Sequence, residues 1–78
     1  MPWLDIFLTE IRIAKLAEHG LTFADVESAV FNPIGDDVSD STGRPIRFGH
    51  ATDGRKIAVV FEKIDEITIE VFTAYEVK

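Results

Sequence analysis

Two periodicities divide this chain. Between Thr9 and His19 the apolar residues Ile11, Ala14 and Ala17, joined by Ile13 and Leu16, recur at helical spacing, and Thr9 is placed to cap their N-terminus. The helix is expected to end near His19, where Gly20 can take the left-handed conformation that closes a C-terminus. Thr22 starts a second helix with Asp25 three residues on, a carboxylate in the first turn where the helix dipole favours it. Val26, Ala29 and Val30 form its inner face, and Pro33 closes it after Phe31 and Asn32. The link Gly20-Leu21 is so short that a helical hairpin is expected. Residues Met1 to Phe7 read as a short edge strand, and Ile34 to Gly43 as a polar loop with one weak strand around Val38.

From Ile46 onward the period is two. Asp53-Gly54 is a strong hairpin signal, and a two-residue turn there predicts Thr52 opposite Arg55, His50 opposite Ile57, Phe48 opposite Val59 and Ile46 opposite Phe61. A turn at Ile64-Asp65-Glu66 then brings Ile69 to Phe61, Val71 to Val59, Thr73 to Ile57 and Tyr75 beside Arg55. One face of this sheet is Ile46, Phe48, Ile57, Val59, Phe61, Ile67, Ile69 and Val71, a floor for the helices. The other carries Arg47, Gly49, Lys56, Ala58, Val60, Thr68, Glu70, Phe72 and Ala74. The expectation is one domain over residues 1–78, of class α+β, with two N-terminal helices on one face of an antiparallel sheet of about four strands. There is no internal repeat and no linker.

Composition narrows the function. The chain has 78 residues, a formal net charge of −6 and no cysteine, which removes disulfides and thiolate metal sites. No apolar run approaches a membrane span and the N-terminus lacks a basic flank, so a cytoplasmic, non-membrane protein is expected. A chain this short buries only about 60–65% of its unfolded surface, which favours assembly with a partner, a homodimer included. Against the acidic whole, Ser41 to Lys56 carries Arg44, Arg47, Arg55 and Lys56 with Asp53 alone opposing them, a local net charge of +3. Any anion is expected to bind there, although the same cations would also serve to keep sheet edges apart. The two histidines are far apart and show no metal spacing, and phosphate loops and nucleophile elbows are absent, so neither metal nor cofactor is expected.

The motifs His19-Gly20-Leu21-Thr22, Phe31-Asn32-Pro33, Ser41-Thr42-Gly43-Arg44-Pro45, Gly54-Arg55 and Thr73-Ala74-Tyr75-Glu76 follow one another in an order that resembles the BrnT family of type II toxins. The resemblance spans nearly the whole chain. It implies a RelE-like fold, an endoribonuclease that cuts messenger RNA, and a cognate antitoxin protein, often with toxin dimerisation; with no metal spacing in the sequence, the nuclease is expected to be metal-independent. It also places Arg44 and Arg55 among the family's basic positions, with Lys15 and His19 in the helix carrying its basic-His-Gly pattern. The chain departs from the family in its acidity and in Tyr75, which stands where the closer toxins have a basic residue. The family's toxins also run on past the last strand into an arginine-bearing segment and a helix, whereas this sequence ends at Lys78.

Cleavage by a 2′-hydroxyl needs a base, cations for the phosphorane charge and an acid for the leaving oxygen. The expected catalytic set is Arg44, Arg55, His50 and Tyr75, with Lys15, His19, Arg47 and Lys56 contacting RNA or a protein partner. Each has an ordinary alternative. His50 can shield the rim beside Ile57, and His19 can complement the dipole at a helix C-terminus. Tyr75 can pack along the Arg55 stem, and Arg44 can cap a loop. A non-catalytic domain that binds a protein through the same sheet is therefore the second reading.

Overall fold

Local capping decides the first half of the fold. The computed structural model describes residues 5–40 and 42–77. After β1 (Asp5–Phe7), helix α1 spans Glu10–Glu18 with Thr9 as N-cap, and Gly20 follows its end at φ 73°. Helix α2 spans Phe23–Phe31 behind a full capping box, in which Thr22 and Asp25 each accept from the other's backbone N–H. Residues 1–4 of the expected first strand lie outside the described residues. The strands β2 (Gly35–Val38), β3 (Pro45–His50), β4 (Lys56–Lys63) and β5 (Thr68–Glu76) complete the chain.

The sheet has five strands in the order β1-β5-β4-β3-β2, and β1 runs parallel to β5 while the other pairs are antiparallel. It is thus mixed rather than antiparallel, and has five strands where about four were expected, since both the short edge strand and the weak strand around Val38 join it as β1 and β2. The helices do not form a packed hairpin: α1 lies along β5, and α2 crosses β3 and β4. This placement also leaves most of the expected α1 stripe in solvent. Leu16 is buried, but Ile11 is 73% exposed.

The floor beneath the helices differs from the expected one in a specific way. Ile57, Val59, Phe61, Ile69 and Val71 are in the core with Leu16, Leu21, Val26, Ala29, Val30, Ala51 and Ala74. Ile46 and Phe48 are not; they lie on the opposite face, paired with Val60 and Ala58. The cause is the turn. Instead of two residues it holds three, Thr52 to Gly54, closed by the Ala51 N–H donating to the Arg55 carbonyl at 2.8 Å, with Gly54 at φ 93°. One extra residue moves every β3 side chain to the other face. Two contacts select the longer loop. The Thr52 N–H and hydroxyl both donate to Asp25 Oδ1, at 2.9 and 2.6 Å, and the Arg55 N–H donates to Asp53 Oδ1 at 3.1 Å.

Gly49, expected to face away from the helices, instead lies directly under α2. A Cβ there would stand 2.5 Å from Ala29 Cα, so the helix backbone can settle on the strand only because that atom is missing. The β4–β5 register also shifts. Phe61 pairs with Val71, Val59 with Ala74, Val60 with Thr73 and Ala58 with Tyr75, and an irregularity between Val60 and Phe61 inserts Phe72 as an extra residue on β5. Arg55 is consequently not opposite Tyr75.

Candidate functional site

The three-residue turn distributes the basic segment over two faces. Arg47 is on the helix-covered face, where its Nε donates to Asp36 at 3.0 Å and its Nη1 to the Val30 carbonyl at 3.3 Å. It closes the C-terminal end of α2, with its guanidinium 5.5 Å from the Phe61 ring. Arg55 emerges near the hairpin tip and binds three partners: Asp53 at 2.7 Å, the Gly20 carbonyl at 2.8 Å and Glu76 at 3.5 Å. It ties the hairpin to the α1–α2 link and to the end of β5. The hydrogen bond to Asp53 raises its pKa against partial desolvation, and the nearby Glu76 adds to the effect.

On the open face the residues fall into rows across β3, β4 and β5. His50 pairs with Lys56 at one end, and Phe48, Ala58 and Tyr75 make the next row. Ile46, Val60 and Thr73 follow. Glu62 and Glu70 form the far row, with Arg44 next to Glu62 at 4.0 Å. Tyr75 is 41% exposed, and the Lys56 ammonium stands 5.6 Å from the Phe48 ring centroid. Among the described residues Lys56 makes no ion pair, and neither do Lys15 and His19, which project from the last turn and cap of α1.

His50 and Lys56 are therefore brought together as a cross-strand pair, with Tyr75 one row along on β5, whereas Arg44, just before β3, lies six residues from His50, roughly 20 Å at strand rise. Arg55 is held apart by its own partners. At the Arg44 end, Arg12 reaches across from α1, pairs with Glu70 and sets its guanidinium 4.3 Å from the Phe72 centroid, while Arg44 lies 4.1 Å from the same ring. Sequence reasoning missed this group. Arg12 gives no signal beyond a polar position in a helix, and Phe72 joins it only through the β5 irregularity.

Asp25, 4% exposed, lies between the helices and the hairpin. Burial would raise its pKa, but hydrogen bonds from the Thr52 hydroxyl and N–H, and from Thr22, outweigh that and hold it at about 2. Its Oδ2 is used in capping α2 through Thr22 and its Oδ1 in joining the helix to the turn that sets the register, so its role is positional. Among the described residues no three His, Cys, Asp or Glu side chains are grouped to hold a metal. No helix among them is long and apolar enough to cross a membrane.

Comparison with known proteins identifies the architecture. The chain superposes on the crystal structure of the ribonuclease toxin BrnT of Brucella abortus with a TM-score of 0.74, at 22% identity, over 96% of this chain and 97% of that one. The fold is therefore that of BrnT, as the motif order implied. No family model matches the sequence. No curated protein matches it either.

Proposed function

We propose that this chain is the toxin of a type II toxin–antitoxin pair, cutting messenger RNA in the cytoplasm without a metal ion and silenced by a protein antitoxin. The observation that carries this reading is the likeness, along nearly the whole chain, to a ribonuclease toxin. The chemistry fits the exposed end of the open face. His50 is suited to take the proton of the attacking 2′-hydroxyl, and Lys56, across the strand pair, to hold the charge that grows on the phosphorane oxygens. The Tyr75 hydroxyl, one row away, can protonate the leaving oxygen. Arg44, at the other end of the same face, would meet RNA beyond the scissile bond. Arg55 acts by positioning the hairpin that carries this edge. Lys15 and His19 offer a further contact, and Arg47 braces α2. An antitoxin that silences the protein has to cover the open face.

A second reading, a non-catalytic protein-binding domain on the same face, is favoured by one observation: Arg44, Arg47 and Arg55 already have carboxylate partners, which reduces the charge free for phosphate. Induction of the chain in bacteria lacking an antitoxin separates the two. The toxin reading expects growth arrest and fragmented mRNA, and relief of both by His50→Ala with Lys56→Ala in a protein whose circular dichroism is unchanged. Intact growth and mRNA under wild-type induction would reject it in favour of the binding domain.

A further inference from the structure

Ala58 is fully shielded from solvent although it lies on the face that no helix crosses, and it stands outside the core cluster beneath the helices. Its cross-strand neighbours are Phe48 on one side and Tyr75 on the other, with Lys56 and Val60 flanking it on the same face of β4. Among the described residues these are the side chains positioned to cover it. The two rings therefore border the alanine on the open face, with Tyr75 41% exposed to solvent. On its other side Phe48 is paired with Gly35 of β2, where a Cβ would meet Phe48 Cδ2 at an ordinary 3.8 Å. A third ring, Phe72, lies further along the face beside two guanidiniums.

Flat rings on an open antiparallel sheet, edged by cations, are what unpaired bases need: every base has a π-face, and stacking on a side-chain ring is worth a large part of single-strand affinity. We propose that the row Phe48–Ala58–Tyr75 is a stacking platform for the bases of single-stranded RNA, with Lys56 meeting a phosphate beside it. The proposal rests on the ribonuclease reading for the identity of the ligand, and it does not require cleavage. Charge sets its character. Arg44 and Arg12 are engaged by Glu62 and Glu70, which leaves Lys56 as the cation of this face with no carboxylate partner among the described residues. A strand short enough to lie on this row alone, clear of Arg44, Lys15 and His19, is then held by stacking with about one phosphate neutralised. The slope of log K against log salt should be close to −0.7, far shallower than for proteins that hold RNA through many phosphates.

The test uses the full chain and a short 2′-O-methyl oligoribonucleotide carrying 2-aminopurine, whose blocked hydroxyls prevent cleavage and whose fluorescence falls when the base stacks. The wild type should quench it with the shallow salt slope. Tyr75→Leu and Phe48→Leu should each weaken binding by between about fivefold and a hundredfold, and Tyr75→Phe, which keeps the ring, should bind as the wild type does. Tyr75 is exposed enough that its replacement tests the platform even if Phe48→Leu fails to fold. Unchanged affinity in Tyr75→Leu, or a salt slope steeper than about −3, would overturn the proposal. So would a wild type that ignores the oligonucleotide and runs as a dimer dissociated by Tyr75→Glu, since the face would then belong to a second copy. Quenching without mRNA loss in cells leaves the platform and removes the ribonuclease; mRNA loss without quenching does the reverse.

Discussion

The two faces of this sheet are made from the same strands and obey different rules. Under the helices the packing is close: Val26, Ala29, Ile57, Val59, Val71 and Ala74 have no exposed surface, and α2 approaches until only a glycine fits beneath Ala29. The open face holds aromatic and aliphatic groups of similar size, Ile46, Phe48, Val60 and Phe72, all left partly in solvent. Hydrophobic character in a strand therefore does not identify the core. On the face that becomes core, Gly49 allows α2 to come close enough to cover the side chains around it.

Substitutions that treat the faces alike should expose the contrast. The largest effect is expected for Gly49→Val, which drives side-chain atoms into the α2 backbone and should cost about 3 kcal/mol or more, read from the urea midpoint. Gly35→Ala, facing Phe48 with ordinary clearance, should by comparison change the midpoint little. Next, Val59→Ala should cost roughly 2–3 kcal/mol, and Phe48→Ala should fall below the 3–5 kcal/mol typical of a core phenylalanine. A Phe48→Ala loss at or above that range would place Phe48 in the core and undo the division.

Asp25 gives a pH-dependent version of the same comparison. Its folded pKa of about 2 lies below the ordinary 3.8, so its contribution is fully present above pH 4 and is lost as pH falls through 2. That shift corresponds to about 2 kcal/mol. Wild-type urea midpoints should therefore approach those of Asp25→Asn as pH drops from 5 towards 2, and a gap independent of pH would deny the carboxylate this role. The smallest effect is expected for Arg55→Ala, whose solvent-screened ion pairs should leave the urea midpoint almost unchanged. Its distinguishing sign would be faster amide exchange at the hairpin tip and the Gly20 link.

What the sequence made legible was local. Thr9, Gly20, the Thr22–Asp25 box and the inner stripe Val26–Ala29–Val30 act within one turn of helix, and all stand where the pattern put them. The face assignment failed because Asp53-Gly54 suits a two-residue and a three-residue turn equally well. The choice was made by Asp25, distant in sequence, binding Thr52. The candidate site was legible as a set of residues and not as a place. Arg44, Arg47, His50, Arg55 and Lys56 are near neighbours in sequence, but strand alternation and the turn send them to two faces and opposite ends. Arg12 was hidden because its partners Glu70 and Phe72 are met only in the folded chain.

The pairing of β1 with β5 has a consequence for how the protein is made. Residue 5 finds its strand partner at residue 68, and half of the buried cluster, Ile57, Val59, Phe61, Ile69, Val71 and Ala74, comes from β4 and β5. A ribosome that has delivered only α1 and α2 has delivered helices with no floor beneath them. Such a topology delays the cooperative step until the last strand has emerged, because the distant ends must meet before the contacts that stabilise them exist. The open face consequently comes into being only once β5 has emerged, and a chain terminated before that strand carries none of it in working order.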